Sequence, residues 1–213
     1  MSARFLDDEA RAAFKTAIEA IESATAIEVV VAVRGRSARY LHANLIVGAV
    51  VAFASLAAML FASYEFSLPS ILVDPFVVGL IAGALTELLP GQKRMLTPAA
   101  HRHRQVRNAA RATFVERGVH NTRDRSGLLV YISWLEQQVV LVPDVGLARA
   151  LPAAPLANAE SALTAAMRSG GAAVAKTLAE IAVSLASAMP RRLDDVNELS
   201  DALDSDLASR SDT

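Results

Sequence analysis

The sequence predicts an α/β fold, a layered sandwich with a central mixed sheet, plus an inserted two-helix transmembrane hairpin. Two apolar stretches follow each other near the middle of the chain, β-branched runs typical of buried strands lie on both sides of them, and amphipathic helical patterns flank the strands. We therefore expect residues 1–40 and 93–190 to form the two parts of one domain, residues 41–92 the hairpin, and residues 191–213 an acidic, Ser-rich tail.

The composition limits the classes of function. Apolar residues make up 53% of the chain and the mean hydropathy is +0.34, which favours long apolar helices. The net charge of −1 provides no global basic field, so we expect no nucleic-acid partner. The absence of cysteine excludes disulfides, thiol catalysis and cysteine-based zinc sites. The first residues lack the apolar core of a signal peptide, so we expect the chain to start in the cytoplasm.

Residues 43–63 form the stronger candidate span, because they contain no charged side chain and a helix of this length reaches about 30 Å. The second stretch, residues 70–90, carries Asp74 and Glu87. Asp74-Pro75 has the pattern of a helix start, which would place both carboxylates near opposite membrane interfaces. A single span would leave the rest of the chain on the far side, so we expect the two stretches to pair.

The basic residues predict the orientation of this hairpin. Arg34, Arg36 and Arg39 precede it, a second basic stretch follows it, and the linker at residues 64–69 has none. The positive-inside rule then places both termini in the cytoplasm of a cell whose inner membrane holds the hairpin. The expected partners are the lipid bilayer and other membrane proteins.

Outside the hairpin, the pattern predicts a helix capped by Asp7 or Asp8 and a strand at residues 27–33. A long basic helix should begin at Thr97-Pro98 and end near Gly118. Strands are expected at residues 128–135 and 138–143, and helices near residues 155–168 and 171–188. We expect the strand at 27–33 to pair with the strand at 128–135, which closes the sheet across the hairpin.

Three separated blocks resemble the TPM domain family, specifically the bacterial membrane-anchored type with a transmembrane hairpin inserted in the domain. They are residues 24–31 (Ala-Thr-Ala-Ile-Glu-Val-Val-Val), the loop and strand at residues 118–133, and the strand ending in Asp-Val-Gly-Leu at residues 144–147. The resemblance covers roughly residues 5–185 apart from the hairpin. It implies a central mixed sheet with helices on both sides.

The resemblance implies several different functions. Family members are credited with phosphatase activity, with divalent-metal binding, or with the assembly or repair of membrane proteins. Metal-binding members carry acidic side chains after the turn at residues 144–147, where this chain has Ala148. Since hard cations prefer several oxygen ligands, we expect no metal and no cofactor here.

The loop at residues 120–125 is the main candidate site, because it concentrates one imidazole, two guanidinium groups and a carboxylate. Arginine matches phosphate geometry, so the loop could bind an anion, or it could be a structural polar cluster that caps helix ends. Glu28 interrupts an apolar strand and needs a partner if buried; His120, Arg123 or Arg125 could supply it. The candidate cluster comprises Glu28, His120, Arg123, Asp124, Arg125 and Asp144.

The basic stretch at residues 93–111 could contact anionic lipid headgroups or serve only as a topology signal. Its candidate contacts are Lys93, Arg94, Arg102, Arg104, Arg107 and Arg111. His101 and His103 stand two positions apart on the predicted helix and point in different directions, so they cannot share a metal ion.

The sequence has no phosphate-binding Gly-rich loop, no Gly-x-Ser-x-Gly elbow and no His-Glu-x-x-His motif. We therefore predict a non-enzymatic interaction or assembly factor at the cytoplasmic face of the inner membrane. The alternatives are a weak phosphatase that uses residues 120–125 with Asp144, and an anionic-lipid-binding module that uses residues 93–111.

Overall fold

The computed structural model describes residues 5–38, 40–88, 96–191, 199 and 203–207, with the backbone alone at residues 87, 182–184 and 186–188. The chain divides into two compact units. The larger unit comprises Met1–Ser37 with His103–Thr213, and the smaller unit comprises Ala38–Arg102.

The described elements follow one another as mixed helices and strands. Two short 3-10 turns lie at Thr86–Leu88 and Met167–Ser169. In chain order the elements are α1 (Asp8–Ala24), β1 (Val29–Arg34), α2 (Leu41–Phe61), α3 (Leu68–Leu85), α4 (Ala99–Glu116), β2 (Leu128–Ser133), β3 (Gln138–Pro143), α5 (Val145–Ala150), α6 (Ala153–Ala166), α7 (Gly171–Ala188) and β4 (Asp204–Ser205).

The strands form one mixed sheet in the order β3-β2-β1-β4. β1 and β2 are parallel, with Val29 opposite Leu128 and Arg34 opposite Ser133, which confirms the predicted pairing across the hairpin. β2 and β3 are antiparallel, as expected for a tight connection. β4 pairs parallel with β1 and comes from the segment that was predicted as a tail, so this strand was missed.

Side chains of the sheet alternate between two apolar layers because successive residues of a strand face opposite ways. Val29, Val31 and Val33 pack in the layer that holds α1, α6 and α7. Val30 and Ala32 pack on the other face, in the layer that holds α4. The sheet is therefore covered by helices on both faces, which explains why β1 is apolar at every position from Val29 to Val33 and not only at alternate ones.

Helix α1 begins as predicted. The Asp7 carboxylate accepts a 2.9 Å hydrogen bond from the backbone N–H of Ala10 and so caps the helix. Phe14, Ile18 and Ile21 recur at helical spacing and are fully buried against the sheet. This face fixes the helix on the domain core.

The smaller unit contains the apolar helices α2 and α3. The predicted start of the second helix at Asp74-Pro75 is wrong, because α3 begins at Leu68 with Ser67 as its N-cap and Pro69 in its first turn. The Ser67–Pro69 pair supplies both a capping hydroxyl and the proline that favours a first turn, and the helix continues through Pro75. Asp74 therefore lies inside a continuous helix, with its side chain exposed.

Helices α2 and α3 meet through small residues. A Cβ atom at Gly79 would lie 2.6 Å from the carbonyl oxygen of Gly48 and 2.8 Å from the Ala52 Cβ. A Cβ at Gly83 would lie 2.9 Å from the carbonyl oxygen of Asn44. Only glycine allows the two backbones to approach this closely, and the four-residue spacing is the small-residue pattern typical of packed membrane helices.

Candidate functional site

The predicted polar cluster lies at one end of the strands, where β1 and β2 begin and β3 ends. The backbone N–H of Leu128 donates to the Glu28 carbonyl at 2.8 Å, and the N–H of Asp144 donates to the Gly127 carbonyl at 2.8 Å. The topology therefore brings Glu28, the loop at residues 120–125 and Asp144 to the same end of the strands.

Asp144 is buried and joins two elements. Its Oδ1 accepts a 2.7 Å hydrogen bond from the N–H of Val145 at the start of α5, and its Oδ2 lies 3.1 Å from Arg125 Nε. These last two atoms form an ion pair without hydrogen-bond alignment. Arg125 also donates to the His120 carbonyl at 2.9 Å. Its guanidinium thus ties the loop to the start of α5.

Gly146 is a second tie between the loop and α5. Its N–H donates to the Arg125 carbonyl at 2.9 Å. A Cβ at this position would lie 2.2 Å from the Asp124 carbonyl oxygen, so a larger residue cannot be accommodated without moving the loop. Asp144 and Gly146 therefore act together to dock the loop, which gives the Asp-x-Gly pattern a structural role.

The surroundings of the other members of the predicted cluster are as follows. Glu28 is buried and its carboxylate accepts a 3.2 Å hydrogen bond from the N–H of Leu199; its pairing with an arginine stays a prediction. The His120 ring packs against Phe114 at 6.1 Å between centroids. Arg123 and Asp124 are exposed on the loop. Among the residues that the structure describes, no group of three His, Cys, Asp or Glu side chains could hold a metal ion.

The basic stretch divides into engaged and exposed side chains, while Lys93 and Arg94 lie outside the described residues. Arg102 donates to the Thr97 carbonyl at 2.8 Å. Arg107 lies 3.5 Å from Glu160 and donates to His103 Nε2 at 3.0 Å. Arg104 and Arg111 are exposed. Seven positions apart on a helix, these two project from the same face.

A second polar cluster, missed by the sequence analysis, lies at the opposite end of the strands, where β1 and β2 end. We call it the serine–glutamate cluster (Ser37, Tyr131, Ser133, Glu136). The Glu136 side chain is only 2% exposed and accepts hydrogen bonds from the Ser37 N–H at 3.0 Å and from the Ser133 hydroxyl. Ser37 Oγ lies 2.8 Å from Ser133 Oγ and 3.3 Å from the Tyr131 hydroxyl. Burial raises the pKa of Tyr131, against an opposing effect of its hydrogen bond with Ser37.

The sequence offered one signal for this cluster. Tyr131 and Ser133 stand two apart, so they share a face of β2, and Ser133 is a hydroxyl in an otherwise apolar strand. Glu136 gave no signal, because an acidic residue in a tight turn is ordinarily exposed.

The third polar group holds β4 and is named here the tail clamp (Arg34, Gly35, Arg117, Asp204, Asp206). Arg34 pairs with Asp204, and Arg117 Nη2 lies 2.6 Å from the same carboxylate. Burial lowers the pKa of the Arg34 guanidinium, but the hydrogen bond and charge of Asp204 outweigh it and the net shift is upward. The Gly35 N–H donates to Asp206 Oδ1 at 2.7 Å.

Comparisons with known proteins bear on the fold. No protein-family model matches the chain, and no curated protein matches it. The chain is similar to the NMR structure of the BA42 protein from the psychrophilic bacterium Bizionia argentinensis, with 15% sequence identity and a TM-score of 0.56. The similarity covers 94% of this chain and 95% of the other. At this level of identity the likeness shows the fold alone, a mixed α/β architecture.

Proposed function

We propose that this chain is a TPM-like interaction or assembly factor, anchored at the cytoplasmic face of the inner membrane by α2 and α3. One observation carries the proposal: two long apolar helices present their side chains outward. Their mean hydropathies are 2.2 and 1.9 over the most apolar windows. Phe53 is 73% exposed and Phe61 is 90% exposed.

The exposure of these helices favours a membrane anchor over a core helix. A core helix of similar composition would be covered by other elements, whereas none of the most apolar window of α2 and 17% of that of α3 is buried. Soluble monomers rarely expose an apolar surface of this extent to water. The glycine contacts between α2 and α3 support the same conclusion, because small residues provide the close packing that holds membrane helices together.

The polar clusters support a binding role over an enzymatic one. Arg125 and Asp144 are bound to each other and to the backbone of neighbouring elements. Glu136 and Ser133 are buried together and satisfied by hydrogen bonds. A nucleophile or general base needs access to its substrate, and these groups are used to fix loops and strand ends.

Cysteine labelling tests the topology cleanly, because the chain contains no cysteine. In spheroplasts, Phe66→Cys in the linker between α2 and α3 should react with a membrane-impermeant maleimide. Thr16→Cys, on an exposed position of α1, is the matched control and should react only after the membrane is opened. Protection of Phe66→Cys in spheroplasts, with labelling after lysis, would overturn the membrane-spanning proposal.

The exposed face of α4 supports a second candidate function, binding of anionic lipid headgroups by Arg104 and Arg111. In nanodiscs of mixed composition, Arg104→Gln with Arg111→Gln should reduce the anionic lipid that copurifies with the full chain. Arg107→Gln is the matched control, because Arg107 is engaged by Glu160 and His103. Equal lipid retention by the double variant and the native chain would remove this candidate.

A further inference from the structure

The edge of the sheet beside β1 is occupied by the chain's own C-terminal segment, residues 203–207. β4 pairs with two residues of β1, Ala32 opposite Asp204 and Val33 opposite Ser205. The N–H of Asp206 extends the pairing by donating to the Val33 carbonyl at 3.2 Å. Without this segment, β1 would present an open edge with free backbone donors and acceptors.

The tail clamp adds recognition of side chains to this backbone pairing. Arg34 and Arg117 both contact the first carboxylate, Asp204, and the Gly35 N–H binds the second, Asp206. Leu207 then inserts into the apolar layer and is 8% exposed. The site therefore binds a short sequence in which two acidic residues are separated by one residue and followed by a leucine.

Within the part of the chain that the structure describes, residues 203–207 are held by a short strand pairing, by apolar packing and by ion pairs. The strand pairing spans two residues, and the apolar side chains are those of Leu203 and Leu207. The Arg117 side chain in the clamp is 49% exposed. The ion pair of Arg117 reaches solvent, and such pairs contribute little to stability. β4 pairs with β1 over two residues, whereas β2 pairs with β1 over six, so the shorter pairing opens more readily. A competing segment that makes the same contacts can therefore replace the tail.

We propose that this edge is a docking site for an extended acidic segment of a partner protein, with the pattern Asp-x-Asp-Leu, which pairs parallel to β1 and displaces residues 203–207. The occupant is specified by complementarity of charge and shape, because the tail itself shows which chemistry the site accepts. This mode is β-strand addition, in which main-chain hydrogen bonds give affinity and side-chain pockets give specificity. The inference deepens the proposed function as an interaction factor, and rests on it.

A synthetic fluorescent peptide, Leu-Asp-Ser-Asp-Leu, tests the site in the detergent-solubilised full chain. In the native chain the tail competes with the peptide at an effective concentration in the millimolar range. The Asp204→Ala, Asp206→Ala double variant releases the tail, so we expect it to bind the peptide at least tenfold more tightly than the native chain. A peptide with asparagine in place of both aspartates should not bind the variant.

Removal of the clamp from the peptide-binding variant completes the test. Arg117→Gln, added to that variant, should weaken peptide binding several-fold. Because the Arg117 side chain is half-exposed, we expect this variant to keep its fold, and Trp134 fluorescence checks the folding. Arg149→Gln, at an exposed position of α5, is the matched control and should leave binding unchanged. Equal affinity of the native chain and the tail variant for the peptide, or insensitivity to Arg117→Gln, would overturn the proposal.

A concentration-dependent dimer of the native chain, abolished by Asp204→Ala with Asp206→Ala, would also overturn it by assigning the edge to the tail of a second copy. Peptide binding in detergent does not depend on the topology of α2 and α3. Failure of this inference is therefore distinguishable from failure of the membrane anchor, which the maleimide labelling measures separately.

Discussion

The backbone N–H of Ser37 donates a 3.0 Å hydrogen bond to the buried carboxylate of Glu136. Ser37 follows the end of β1, and Glu136 lies in the turn between β2 and β3. The bond therefore fixes the chain just after it leaves the sheet, at the boundary of the larger unit.

Replacement of Glu136 should destabilise the larger unit. Glu136→Ala leaves the Ser37 N–H and the Ser133 hydroxyl without their acceptor, and we expect a loss of about 2–4 kcal/mol in the free energy of unfolding. Glu136→Gln keeps one acceptor and should lose less. Denaturant unfolding followed by Trp134 fluorescence measures the difference. Glu180→Ala, at an exposed acidic position, is the control, and an effect no larger than that of the control would contradict the structural role.

Tyr131 should make stability depend on alkaline pH. Because burial raises its pKa in the folded state above the ordinary value of 10.0, the folded protein holds this proton more tightly than the unfolded chain. The resulting stability is complete below pH 10.0 and is lost as the pH rises through the folded-state pKa. Tyr131→Phe should remove this component from unfolding midpoints measured at pH 8–11, whereas Tyr64→Phe, at an exposed position, should retain it. Identical pH profiles for the two variants would contradict this assignment.

The close approach at Gly146 predicts a large effect of a single methyl group. Gly146→Ala would place its Cβ against the carbonyl oxygens of Asp124 and Arg125, so we expect about 1–3 kcal/mol of destabilisation and a displaced loop. Ala148→Ser, two residues further along the same helix and exposed, should stay within about 0.5 kcal/mol of the native chain. Comparable thermal unfolding of the two variants would show that the loop is free to move.

Asp74 should oppose insertion of α3 under the proposed topology. Gly79 contacts Gly48 and Gly83 contacts Asn44, so the antiparallel register places Asp74 beside the middle part of α2. A charge near the centre of a span is unfavourable by about 2.5–3.5 kcal/mol on insertion scales. Asp74→Leu should therefore raise the fraction of chains whose Phe66→Cys label is accessible in spheroplasts. Glu65→Leu in the linker is the control; an equal rise in both variants would assign the effect to general hydrophobicity.

The sequence was sufficient for the elements whose signals are local or repeated. Local patterns predict the strand β1, the Asp7 cap and the helix start after Thr97-Pro98. The pairing of β1 with β2 follows because a lone apolar strand must join the other strands. The mixed sheet was predictable for the same reason. The position of Glu28, the loop at residues 120–125 and Asp144 at one end of the strands follows from that topology.

The remaining features depend on contacts between distant residues. β4 was missed because Asp204 and Ser205 have low strand propensity, and their position beside β1 depends on contacts with the distant residues Arg34 and Arg117. The start of α3 was misplaced because two proline-containing pairs, Ser67–Pro69 and Asp74–Pro75, both resemble helix starts, and the local pattern does not decide between them. The burial of Glu136 likewise requires Ser37, which lies beyond any local pattern.

The parallel pairing of β1 with β2 also sets the order of events during synthesis. β1 is made early, but its partner strand emerges from the ribosome only after the segment that contains α2, α3 and α4. At about 5–20 residues per second, the delay is on the order of ten seconds. Throughout this time the apolar run Val29–Val33 has α1 beside it and no sheet to join, so the nascent chain is most prone to aggregation in this interval. The helices α2 and α3 are complete before the sheet can begin to form.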